Sequence, residues 1–94
     1  MTDNRIKQIA DFNGMKVILN KLTEEAGELI TAIARSQTTE YREDATPEQF
    51  ADDVIEEAVD TWLMLEQFRQ YNKFEFNLML ATKIERQIQR MVQK

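Results

Sequence analysis

Two short acidic motifs carry the residue types best suited to chemistry in this chain. One reads EEAGE and pairs Glu25 with Glu28, and the other reads EEAVD and pairs Glu57 with Asp60 at the same spacing. On a helix, residues three apart project roughly 60° from each other, one turn above the other. Like charges so placed repel, and a hard divalent cation such as Mg²⁺ would offset that repulsion. Two adjacent helices would thus present four carboxylates to one metal.

Acids on helices more often form a solvated face, and that interpretation competes with a metal site. Glu57, however, shares its side of the predicted helix with Thr61, Leu65 and Phe68. A charge on an apolar border is costly unless it has a partner. The position of Glu57 and the recurrence of the spacing make a metal centre as strong an interpretation as a solvated face.

A basic stripe lies near the end of the sequence. Its members follow three-and-four spacing, which places them on one helical face: Lys83, Arg86, Gln87, Arg90 and Lys94. Basic residues also stabilise a helix C-terminus through the macrodipole, so a capped end is the simpler interpretation. The functional alternative is a phosphate clamp opposite the acids.

The pattern of apolar residues predicts an all-α protein. The sequence has two glycines and one proline, which leaves little room for strands and turns. Thr46 as N-cap and Pro47 at the first helical position mark a helix start after a polar loop. We expect four helices, over about residues 3–12, 15–36, 47–71 and 74–92. Long helices with short links predict an antiparallel four-helix bundle-like protomer.

Bulk composition limits the function classes. The 94 residues predict one domain over 1–94, and the absence of Cys and His removes thiolate and imidazole chemistry. A net charge of −5 argues against a nucleic-acid polymer as partner. There is no bilayer-spanning apolar run and no signal-peptide core. We therefore expect no membrane association and a cytoplasmic location.

The chain is also expected to self-associate. A domain of this length buries a marginal core, and its amphipathic helices carry Trp62, Leu63, Phe68 and Phe76. A homodimer or a dimer-based tetramer would add the missing buried area.

Taken together, the motifs resemble the MazG-like branch of the all-α nucleoside triphosphate pyrophosphohydrolases. That family's EExxE motif followed by ExxD is matched by Glu24, Glu25 and Glu28, and then by Glu57 and Asp60. The segment 21–30 looks like the family's first acidic helix. The late Lys83 and Arg90 resemble its closing Lys and Arg, so the similarity runs from about residue 18 to residue 91.

The resemblance implies hydrolysis of a nucleoside triphosphate between its α and β phosphates, with Mg²⁺ as cofactor and Mn²⁺ as a substitute. It assigns the metal to Glu25, Glu28, Glu57 and Asp60, and an auxiliary catalytic role to Glu24. Lys83 and Arg90, with help from Lys21, would hold the substrate phosphates. Gln87 stands where the family often has Asn, and it would contact the sugar or base.

Two alternatives remain at the level of sequence. A phosphoribosyl-ATP pyrophosphohydrolase would share the acidic motifs, although the longer spacer between them and the basic final helix favour the MazG-like assignment. A non-catalytic helical interaction module would explain the acidity and the amphipathic helices equally well. It would not explain Glu57 on an apolar border.

Overall fold

A computed structural model describes residues 3–37 and 47–93, and within these ranges the only regular secondary structure is α-helix. Helix α1 spans Asn4–Gln37, α2 spans Pro47–Tyr71 and α3 spans Lys73–Val92. The all-α prediction is confirmed. The predicted four-helix bundle is wrong, because the described residues form three helices. The start of α2 at Pro47 matches the prediction, whereas Thr46 and the expected polar loop lie outside the described residues.

Gly14 accounts for the difference between the four predicted helices and the three that the described residues form. The predicted break at Asn13–Gly14 exists as a kink, because Gly14 has φ 77° and ψ 161°. The positive φ is a region that glycine adopts far more readily than other residues. Helical residues continue directly on both sides, so the expected first two helices form one bent element.

Helices α1 and α2 form an antiparallel hairpin around a small core. Ala10, Ile18 and Met64 are buried, and Leu22 and Phe68 pack against them. At one end, the Asn13 side-chain amide donates to Gln67 Oε1 at 2.7 Å. Beside it, the Tyr71 hydroxyl donates to the carbonyl oxygen of Ala10 at 3.0 Å. These bonds hold the arm before the kink against the end of α2.

A buried threonine joins the two helices further along the hairpin. Thr61 Oγ1 lies 2.8 Å from the carbonyl oxygen of Glu57 and 3.2 Å from that of Glu25. The first contact is a bond back along α2, and the second crosses to α1. Thr61 therefore fixes the acidic turn of one helix against the acidic turn of the other.

Helix α3 contributes little to this core. None of its residues is buried, and every residue from Leu78 to Gln93 is exposed. Its early turns lie against α2, where Arg69 Nη1 donates to Asn77 Oδ1 at 3.0 Å. Among the described residues, no helix has both the length and the apolar character needed to cross a membrane.

Candidate metal centre

The hairpin brings the two acidic motifs together. Glu25 and Glu28 from α1 and Glu57 from α2 each offer a carboxylate oxygen, and these three oxygens lie within 4.8 Å of one another. Asp60, the fourth ligand expected from sequence, is not one of the three. Its charge still acts on the group, because it raises the pKa of both Glu25 and Glu57.

Two of these carboxylates are held in an unfavourable environment. Glu25 Oε2 and Glu57 Oε2 are both enclosed and have no hydrogen-bond partner. Desolvation is the largest cause that raises the pKa of Glu25, followed by the charges of Glu28 and Asp60. Desolvation is also the largest cause that raises the pKa of Glu57, followed by the close approach of the Glu28 side chain and by its charge. Either protons or a cation must compensate this group.

The donor set fits a hard divalent cation. Three carboxylate oxygens from two helices match the preference of Mg²⁺ for a few carboxylates with remaining positions for water or phosphate. The two enclosed oxygens provide the independent observation, because a buried polar atom without a partner is rare in folded proteins. Glu25, Glu28 and Glu57 are thus the residues that would hold such an ion.

An open cavity of about 610 Å³ adjoins the carboxylates. Acidic side chains from both helices contribute to its wall, along with small residues and one arginine: Glu24, Gly27, Glu28, Thr31, Ala32, Arg35, Asp53 and Glu57. The predicted catalytic residue Glu24 is exposed and lines this cavity. A molecule bound in the cavity would therefore meet Glu24 together with two of the candidate ligands, Glu28 and Glu57.

Arg35 is a cavity residue that sequence reasoning missed. It is exposed and lies on the wall of the cavity. Its spacing was the available signal, because Glu24, Glu28, Thr31 and Arg35 follow one face of α1 at intervals of four, three and four. Asp53 lies four residues before Glu57, so these two cavity residues likewise share one face of α2.

The substrate-binding residues expected from sequence lie outside the acidic cavity of the protomer. Lys21 is exposed on α1 and does not line the cavity. Lys83 lines a separate cavity of about 470 Å³ with Phe68 and Phe76. Gln87 and Arg90 are exposed on α3, and no α3 residue is among those lining the acidic cavity.

Comparison with known proteins gives no assignment. No protein-family model, no curated protein and no solved structure matches this chain.

Proposed function

We propose that this protein is a Mg²⁺-dependent nucleoside triphosphate pyrophosphohydrolase, which cleaves between the α and β phosphates to give a monophosphate and pyrophosphate. The observation that supports it most is the meeting of three carboxylates, two with enclosed and unpartnered oxygens. The motif resemblance described above supplies the reaction class. A cytoplasmic location is part of the same proposal.

Each residue of the site has a defined task in this reaction. Glu25, Glu28 and Glu57 would hold the cation, and Asp60 adds negative charge beside them. A divalent ion held there would supply positive charge to the substrate phosphates and would help to activate the attacking water. Glu24, exposed on the cavity wall, accepts a proton from the attacking water. Arg35 meets an anionic oxygen at the other end of the cavity.

The decisive experiment separates the two products. The protein is incubated with a panel of NTPs, dNTPs and phosphoribosyl-ATP with and without Mg²⁺, and pyrophosphate and orthophosphate are measured independently. We expect pyrophosphate with equal monophosphate, dependent on the metal. Orthophosphate as the first product, or no turnover with any member of the panel, contradicts the proposal.

A non-catalytic helical interaction module is the second candidate, and one observation favours it. An entire helix, α3, has no buried residue, as expected of an element that serves to bind a partner. Metal binding distinguishes the two functions. A metalloenzyme is stabilised against thermal unfolding by Mg²⁺ or Mn²⁺, whereas a module without a metal site shows no such shift.

A further inference from the structure

A further cavity lies where the start of α1, the second half of α2 and the first turns of α3 meet, and we call it the junction cavity. Its volume is about 420 Å³, which is within the range of pockets that hold drug-sized molecules. Every helix contributes apolar side chains to its wall: Ile6 from α1, Trp62 and Leu65 from α2, and Phe76 and Leu80 from α3. Glu25, Glu28 and Glu57 do not line it. The junction cavity is therefore separate from the acidic cavity.

Two aromatic side chains on different helices line the junction cavity. Trp62 is 62% exposed, although an indole ring gains more than most side chains from being covered. Phe76 contributes a second ring from α3. Aromatic rings pair with one another in stacked or edge-to-face geometry, and such pairs are stabilised beyond the area that they bury. The two rings therefore favour a flat aromatic ligand.

The charged residues of the wall already have partners. Arg5 holds Asp3 from outside the cavity, with Nε 3.0 Å from Oδ1 and Nη2 2.6 Å from Oδ2. Arg69 Nε lies 3.2 Å from Glu66 Oε2 in an ion pair. Each acid of the wall thus has its own cation. A charged ligand would lose its hydration without gaining a free counter-ion, so the cavity favours an uncharged one.

One polar atom of the wall has unused hydrogen-bonding capacity. Arg69 Nε is enclosed and makes no hydrogen bond, because its contact with Glu66 lacks hydrogen-bond geometry. The neighbouring Nη1 of Arg69 does donate, to Asn77 Oδ1. An enclosed donor without an acceptor is rare in folded proteins. A carbonyl oxygen on the ligand would satisfy it.

We propose that the junction cavity binds an uncharged molecule of two fused aromatic rings, which packs against Trp62 and Phe76 and accepts a hydrogen bond from Arg69 Nε. Such a ligand contacts all three helices at once. Helix α3 has no buried residue, so the ligand adds contacts that fix this helix against α2. The site needs neither metal nor phosphate, and it goes beyond the proposed reaction.

Trp62 supplies the readout, because it is the only tryptophan in the chain. Uniformly ¹⁵N-labelled protein therefore has one indole N–H signal in its NMR spectrum. The probe is quinolin-2-one, which has two fused rings and a carbonyl oxygen, titrated without Mg²⁺ or nucleotide. We expect a saturable shift of the Trp62 signal and of the Arg69 Nε–H signal, which is assigned by its loss in Arg69→Lys. If neither signal moves up to the solubility limit of the probe, the inference is overturned.

Three comparator probes test the chemistry of the ligand. Naphthalene has the same two rings without an acceptor and is expected to bind roughly tenfold more weakly, because it makes no hydrogen bond to the guanidinium. The anion 2-naphthoate and the cation naphthalen-2-ylmethylammonium are also expected to bind roughly tenfold more weakly, since each loses hydration without a free counter-ion. Tighter binding of either charged probe than of quinolin-2-one would refute the uncharged ligand class.

Matched variants locate the binding within the junction cavity. Phe76→Ala removes one ring of the wall and is expected to weaken quinolin-2-one binding roughly tenfold. Phe74→Ala is the control, because Phe74 is 80% exposed and does not line the cavity. The pair Ile6→Ala and Ile9→Ala repeats the comparison on α1, and it keeps the test valid if Phe76→Ala does not fold. Equal affinities within both pairs would mean that the probe stacks on exposed Trp62 alone, which contradicts the inference.

This outcome is independent of catalysis. Quinolin-2-one carries no phosphate, and its binding is measured without a metal ion. Failure of the proposed reaction would appear as absent pyrophosphate release with the junction cavity still binding the probe. Failure of the present inference would appear as an unchanged Trp62 signal in a protein that still turns over nucleotide.

Discussion

At the scale of single residues, Glu57 links burial to chemistry. Its Oε2 is enclosed without a partner, and its pKa is raised by desolvation and by contact with Glu28. We expect Glu57→Gln to weaken Mg²⁺ binding by roughly 100-fold, since even the loss of a residue behind the ligands costs 10–100-fold. Mn²⁺ titration by calorimetry measures the change.

In the absence of metal, we expect the free energy of unfolding of Glu57→Gln to be at least as high as that of wild type. The amide keeps the size and removes a charge from a repelling group. Glu56→Gln is the matched control, because Glu56 is the exposed neighbour outside the three-carboxylate group. Equal metal affinity in Glu57→Gln and wild type would refute the assignment of this ligand.

Arg35 contributes at the opposite end of the cavity and leads to a second prediction. A hydrogen bond to a charged group contributes about 1.5–3 kcal/mol, so Arg35→Gln is expected to weaken nucleotide binding roughly tenfold or more. Mg²⁺ affinity should not fall, because the change leaves the acids intact. Fluorescence titration with a non-hydrolysable triphosphate measures the effect, with the exposed Lys16→Gln as control. Identical nucleotide affinities in the two variants would remove Arg35 from the site.

At the scale of helices, Thr61 holds the acidic turns in register. Thr61→Val keeps the shape and removes the bond to the Glu25 carbonyl, so we expect a loss of about 1 kcal/mol in the free energy of unfolding. Urea titration measures that loss. Thr61→Ser keeps the hydroxyl and serves as control. If metal affinity falls in Thr61→Val but not in Thr61→Ser, the hydroxyl also positions the carboxylates.

Element boundaries were largely predictable, but angles between elements were not. Pro47 signalled a helix start because its ring fixes φ at a helical value. Gly14 signalled a break because glycine readily adopts the positive φ found there. The meeting of Glu25 with Glu57 followed from two similar motifs on adjacent helices. Nothing in the local pattern fixes the direction of α3, which depends on a few early contacts such as Arg69–Asn77. Its cations could therefore be identified as a stripe but not located relative to the acids.

The apolar pattern of α1 also shows the limit of periodicity. Ile18 is buried, as its spacing indicates, whereas Ile30 is 68% exposed in the same series. Periodicity identifies the apolar face of a helix, but it does not predict how far along the helix a partner helix covers that face. Ala32 is the last buried residue of α1.

At the scale of the whole molecule, raising the pH should lower the stability of the metal-free protein and increase the stabilisation that metal provides. Unfolded glutamates titrate near 4.5, and Glu25 and Glu57 have raised pKa values in the fold. Their contribution to stability is complete below that value and is lost as pH rises through the folded pKa. Metal requires the ionised form. We expect the thermal shift caused by Mg²⁺ to be larger at about pH 8 than at about pH 5.

Differential scanning fluorimetry across pH, with Mg²⁺ and with a chelator, measures this coupling. At free Mg²⁺ about 100 times its Kd, the gain in free energy of unfolding should approach 2.7 kcal/mol. Glu57→Gln is expected to weaken the pH dependence both of the stability without metal and of the thermal shift caused by Mg²⁺. A metal-induced shift that is independent of pH would contradict the role of these two carboxylates.

The kink at Gly14 divides α1 into two segments that can unfold locally and separately. A helix gains cooperativity from its continuous ladder of backbone hydrogen bonds, and the backbone angles at Gly14 interrupt that ladder. The arm before it is held by the Asn13–Gln67 and Tyr71–Ala10 bonds. Amide hydrogens in residues 4–13 should thus exchange with solvent through a local opening of lower free energy than those around Ile18. The acidic turn, eleven residues beyond the kink, would keep its protection while the arm detaches.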